Sequence, residues 1–84
     1  MLSEEINKEC LIFCHNIKWM RSHRKLSKKR MAKMLGIGVV SLTKIENGII
    51  PPRLNVDIFF RFQHCFGISP VEQLSRRLDE TTLP

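Results

Sequence analysis

This 84-residue sequence has no long apolar run. The longest uncharged stretches, residues 34–43 and 62–71, are 10 residues each, well short of the ~20 that a membrane-spanning helix needs. A soluble protein with no membrane partner is expected. Cysteine is scarce and odd in number, three in all, and the chain does not open on a basic segment followed by an apolar one. Neither a disulfide framework nor secretion is supported, and a reducing, cytoplasmic compartment is the expected location. Catalytic signatures are missing as well: there is no glycine-rich phosphate loop, no paired-acid motif and no histidine near Ser41, and the acids fall mainly at the chain ends. An enzyme is not expected, nor a cofactor.

Metal chemistry has equally little to build on. Cys10 and Cys14 stand one helical turn apart, and Cys65, His15, His23 and His64 are the remaining soft or imidazole donors. Their spacing matches no CxxC zinc signature. The cysteines fall on or beside apolar stripes and read as core thiols, the histidines as exposed polar residues, and no metal is expected.

Length sets a further bound. A chain of this size makes one domain and buries only roughly 60–65% of its unfolded surface, so its core is thin and dimerisation is a natural supplement. A composition of 43% hydrophobic and 26% charged residues argues against extensive disorder.

Acid is absent where base is concentrated. Residues 1–20 carry three acids (Glu4, Glu5, Glu9) against two bases, and residues 34–84 sum to zero. Between them, Arg21, Arg24, Lys25, Lys28, Lys29, Arg30 and Lys33 face no acid at all, so one block accounts for the net charge of +6. A localised block of this kind points to a polyanion. Taken alone, it reads equally well as a solvated face.

Periodicity places the block. Ile6, Cys10, Phe13, Ile17 and Met20 recur at steps of four, three, four and three, with Cys14 widening the stripe, which predicts a first helix from about Ser3 to His23. Ser3 is its expected N-cap. Ser27 caps a second helix with Met31, Ala32 and Leu35 inward, ended by Gly36 in the left-handed conformation. Leu42 and Ile45 mark a third, from Val39 to Asn47, closed by Asn47-Gly48. Pro51-Pro52 forces an extended loop. Val56, Phe59, Phe60, Phe62, Cys65 and Phe66 form an apolar fourth helix ending at Gly67. Ser69-Pro70-Val71-Glu72 is a capping box with proline at N1, opening a fifth helix with Val71, Leu74 and Leu78. Residues 79–84 read as a tail.

Two short helices joined by Gly36-Ile37-Gly38 inside a five-helix frame have the proportions of a helix-turn-helix, with the basic block on and just before its first helix. At these residues the sequence resembles the phage repressor, Cro and Xre-type helix-turn-helix family. The likeness runs from about Ile17 to Leu74. It rests on Ile17, Met20 and Arg21, on Leu26-Ser27, Met31-Ala32 and Leu35-Gly36, on Leu42, Ile45, Glu46, Asn47 and Gly48, and on Pro52 and Phe66-Gly67-Ile68-Ser69.

The resemblance implies an all-α, compact five-helix lambda-repressor-like domain with a central helix-turn-helix. Residues 1–16 are then an N-terminal extension of the first helix, 17–78 the DNA-binding domain and 79–84 the tail. It implies a small, repressor-like transcriptional regulator that binds double-stranded DNA sequence-specifically, usually as a homodimer on a palindromic operator. Ser27 and Lys28 would contact phosphate. Val39, Val40, Ser41 and Lys44 fall on the base-facing positions, Asn47 and Arg53 match the loop that returns to the backbone, and Arg21 and Glu46 match a structural ion pair.

Three departures stand out. Val39 and Val40 occupy positions usually polar in the family. They can pack on a thymine methyl but cannot hydrogen-bond a base edge, which leaves direct readout to Ser41 and Lys44. Ile49-Ile50 is apolar where a basic or polar loop is common, and Arg30 takes the place of a capping-box acid or amide. Trp19 and Ile12 form a second apolar stripe on the first helix, expected to be covered by the fifth helix or the N-terminal extension. Trp19, Ile49 and Ile50 also offer surface for a protein partner, so the alternative to a DNA regulator is an antitoxin-like or adaptor module on the same frame. Leu74, Leu78 and Leu83 are the expected dimer contact.

Overall fold

The stripe at 10, 13, 17 and 20 is realised in α1 (Glu4–His23). The computed structural model describes residues 4–51 and 54–79, and side chains from residue 8 onward. The expectations placed on Ser3, Pro52, Arg53 and Leu83 therefore lie outside the described residues. Four further helices follow, α2 (Lys28–Leu35), α3 (Val39–Glu46), α4 (Asp57–Phe66) and α5 (Pro70–Ser75), with no strand among the described residues.

One core joins all five helices. Phe13, Ile17 and Met20 of α1 meet Met31 and Leu35 of α2, Leu42 and Ile45 of α3, and Ile58 and Phe62 of α4, all essentially removed from solvent. Each such side chain contributes roughly 1.5–3 kcal/mol relative to exposure. The aromatics pack tilted rather than stacked, Phe13 on Phe59 at 4.7 Å and Phe62 on Phe66 at 5.2 Å between centroids.

The helix ends follow from local chemistry. The Ser27 hydroxyl accepts from the Arg30 N–H at 3.1 Å, and Ser69 accepts from the Glu72 N–H at 3.3 Å, so both serine caps form. Three helices end in the same way, with a residue at positive φ and a pair of returning bonds. Leu26 N donates to Arg21 O, Ile37 N to Ala32 O and Ile49 N to Lys44 O, at 3.0, 3.0 and 2.9 Å. The left-handed residue is glycine at Gly36 and Gly48, but Lys25 at the end of α1, with φ of 55°. Gly36 is constrained by its backbone, with φ of 73°; a Cβ there would lie 2.9 Å from the Arg61 guanidinium carbon, the movable end of an exposed side chain.

Three sequence expectations are corrected, on Leu78, Val56 and His15. Leu78 lies beyond α5, which stops at Ser75, and it is buried within its own chain, which removes it from a dimer surface. Val56, expected within the fourth helix, is exposed and stands just before α4, and Val71 of α5 is exposed as well. Phe60 is exposed, because the buried face of α4 is set by Ile58, Phe62 and Phe66 at steps of four. His15 is half-buried, its Nε2 3.4 Å from the Leu78 carbonyl oxygen. Ile12 is buried and Trp19 packs against the core. Cys14 is buried, and Cys10 and Cys65 are half-buried free thiols.

A polar latch closes the C-terminal side. Asn16, fully buried, donates through Nδ2 to the carbonyls of Gln73 and Arg76 at 2.9 and 2.8 Å, and accepts from the Leu78 N–H at 2.8 Å. Gln73, equally buried, donates through Nε2 to the carbonyls of Phe59 and Ile68 at 2.9 and 2.7 Å. Chain that leaves α5 without helical bonds of its own is thus satisfied by a side chain of α1.

Candidate nucleic-acid interface

An eight-residue helix is too short to be stable on its own, so α3 must be held from behind. Leu42 and Ile45 are wholly buried, and Lys28 reaches from the start of α2 to the Thr43 hydroxyl at 3.5 Å. The far end of α3 is fixed by Glu46. Arg21 donates from Nε to Glu46 Oε2 at 2.6 Å and from Nη2 to Oε1 at 3.0 Å, a two-pronged pair, while Nη1 donates to the Leu26 carbonyl at 3.1 Å. Only 20% of the Arg21 side chain and 5% of the Glu46 side chain remain accessible. The hydrogen bonds to Glu46 raise the Arg21 guanidinium pKa above its ordinary value.

The opposite face of α3 is free of the core. Val39 is 42% and Val40 71% exposed, Lys44 and Asn47 are exposed, and Ser41 is half-buried. The N-cap is Gly38, which has no side chain to satisfy the first-turn amides, and no acid occupies that turn. The positive end of the helix dipole is left without a carboxylate of its own.

The basic block falls at the end of α1 and along α2, the two helices packed against α3. Arg24, Lys25, Lys29, Arg30 and Lys33 are exposed, and Lys28 is half-buried. Among the described residues, the Arg21–Glu46 ion pair draws on the block, whereas Arg61–Asp57 and Arg76–Glu72 lie on α4 and at the end of α5. Arg24 sits over the Phe66 ring, 5.5 Å from its centroid. Lys28, through Thr43, and Arg21, through Glu46, bring the block into contact with α3.

Of the residues read from the sequence, Ser27, Lys28, Val39, Val40, Ser41, Lys44 and Asn47 all lie on this helix pair or its end. Ile49 is exposed, whereas Trp19 and Ile50 pack partly against the core, with Trp19 stacked on His23 at 4.5 Å and 13°. Three features escaped the sequence reading: the Asn16 and Gln73 latch, the Lys28–Thr43 tie, and the left-handed Lys25. Asn16 left a signal, since it stands three residues after Phe13 and four before Met20, inside the apolar stripe.

Two short helices joined by a glycine-containing turn, the second buried on one face and bare on the other and packed against helices that carry the basic block, define a DNA-binding helix-turn-helix unit. Comparison of the sequence with known families agrees. The chain belongs to the Cro- and Xre-like helix-turn-helix family, whose sequence model matches residues 17–73 and places it among DNA-binding helix-turn-helix regulators. Searches of curated proteins and of solved structures each gave no match. Among the described residues, no helix is long and apolar enough to cross a membrane.

Proposed function

We propose that this protein is a repressor-like transcriptional regulator that binds duplex DNA sequence-selectively as a homodimer, laying α3 in the major groove. The observation that carries the reading is the split character of α3. Leu42 and Ile45 are at 0% exposure while Val39, Val40 and Lys44 project freely next to the basic block. Ser27, Lys28, Asn47 and Arg53 supply phosphate contacts, which fix register without reading sequence. Lys44 donates to guanine O6 and N7, and Ser41 serves as the second polar reader. The Arg21–Glu46 pair sets the angle of α3 without touching DNA.

Selection of bound duplexes from a random pool near physiological salt tests this. An enriched palindrome with half-sites about one helical turn apart supports a dimeric operator-binding regulator. Retention without enrichment limits the protein to non-specific binding. The exposed valines favour a second reading, an antitoxin-like or adaptor module docking on protein through this surface together with Ile49. Salt separates the two, because counterion release makes DNA retention fall steeply with ionic strength and an apolar protein contact does not.

A further inference from the structure

We infer that the tip of α3 is a reader of the pyrimidine C5-methyl group, and that it accepts 5-methylcytosine as it accepts thymine. The inference rests on the proposed DNA-binding role and specifies what the surface recognises. Val39 and Val40 form the exposed first turn, and their side chains end in methyl groups with neither donor nor acceptor. A side chain added at the neighbouring Gly38 would meet nothing within 4 Å, so the groove edge can approach the valines closely. Exposed Lys44, one helical turn after Val40, and half-buried Lys28, which reaches Thr43 of the same helix, complement a phosphate-lined partner rather than an apolar one.

In the major groove, the one apolar feature of a base edge is the C5-methyl of thymine. 5-Methylcytosine places the same methyl at the same ring position and differs from thymine in the adjacent exocyclic group, an amine in place of a carbonyl. A glutamine or arginine at these positions would distinguish amine from carbonyl. Valine cannot. Two bases that differ only in hydrogen bonding are therefore equivalent to the valine pair, and two that differ only in the methyl are not.

The test uses the full chain and the duplex recovered by selection, with each thymine–adenine pair replaced in turn by a deoxyuridine–adenine, cytosine–guanine or 5-methylcytosine–guanine pair. At the positions under the valines, loss of the methyl should weaken binding roughly fourfold, the equivalent of about 0.8 kcal/mol for one buried carbon. The 5-methylcytosine duplex should outbind its cytosine counterpart by a similar factor. In Val39→Ala and Val40→Ala both ratios should fall toward one while the salt dependence is unchanged. A thymine preference without a 5-methylcytosine preference would confine the surface to thymine and overturn the equivalence. Indifference to the methyl at every position, or ratios unaltered in both variants, would overturn the inference and leave DNA binding standing. Failure to retain duplex at all would overturn the DNA-binding role itself.

Discussion

Removing the two partners of the Arg21–Glu46 pair should cost different amounts, and the asymmetry follows from burial. Glu46 is 5% exposed and receives both of its charge-assisted bonds from Arg21, at 2.6 and 3.0 Å. Arg21→Ala leaves that carboxylate buried without its donors, a loss of about 3–5 kcal/mol. Arg21 is 20% exposed and keeps the Leu26 carbonyl as an acceptor, so Glu46→Ala should cost less, about 1–3 kcal/mol. Against a total stability of roughly 4–13 kcal/mol for a chain of this length, the first loss can bring the domain close to unfolding. Replacing both, as Arg21→Met/Glu46→Leu, removes the stranded charge together with its partner and should recover most of the loss.

The hydrogen bonds to Glu46 raise the folded pKa of Arg21, so the stabilisation that rests on the guanidinium charge is present at neutral pH and is lost in strong alkali. Measurement at neutral pH therefore samples the intact pair. Urea unfolding followed by helical circular dichroism gives the four stabilities of the double-mutant cycle. If Arg21→Ala cost no more than Glu46→Ala, or if the single losses simply added in the double variant, burial would not be what sets the value of this pair.

Three other outcomes are expected. Asn16→Ala strands the carbonyls of Gln73 and Arg76 and the Leu78 N–H, so it should cost roughly 3 kcal/mol and speed hydrogen exchange at Leu78; unchanged protection there would refute the latch. Lys25→Gly should raise stability by about 0.5–1 kcal/mol in urea unfolding, because lysine at φ 55° carries a steric cost that glycine lacks, and a loss would show that its side chain compensates. Burial, with Cys10 adding to it, pushes the Cys14 thiol up to about 11 from 9.0, so only the unfolded chain ionises it in between. The share of stability set by Cys14 should be level below pH 9 and lost between pH 9 and about 11, so the decline there should be less steep in Cys14→Ala, and parallel urea-midpoint curves for the two proteins over that range would refute this.

Features governed by short-range rules were legible in the sequence. The serine caps, the glycine stops and the four-three stripe each depend on a few neighbouring residues, and α2 and α3 begin and end at or within a residue of where those signals stand. What was hidden depends on residues far apart in the chain. Asn16 reaches its partners across about sixty positions, so nothing near it in sequence announces which backbone groups it satisfies. The fourth helix shows a second kind of failure. With seven apolar residues in eleven, from Val56 to Phe66, its composition gives no way to tell the face toward Ile58 and Phe62 from the face that exposes Phe60. Leu78 was read as helical because it continued the spacing of Leu74, whereas the chain leaves α5 at Ser75 and reaches the core in extended form.

The candidate site differs from all of these, because its outer residues are not needed for folding. Every hold on α3 comes from its inner face and its ends: Leu42 and Ile45 in the core, Thr43 from Lys28, Glu46 from Arg21, and the returning bonds at Gly48 and Ile49. Val40 and Lys44 take no part, so substitutions there should change stability by no more than about 0.5 kcal/mol. Thermal unfolding of Val40→Ser and Lys44→Gln should superimpose on that of the parent within 2–4 °C, as such a change implies for a domain this small. A larger loss would mean that the outer face of α3 is tied to the fold, and changed DNA selection in those variants could then no longer be separated from a displaced helix. If the curves do superimpose, a change in selected sequence reports what the groove meets, and α3 can be altered position by position without rebuilding the domain that carries it.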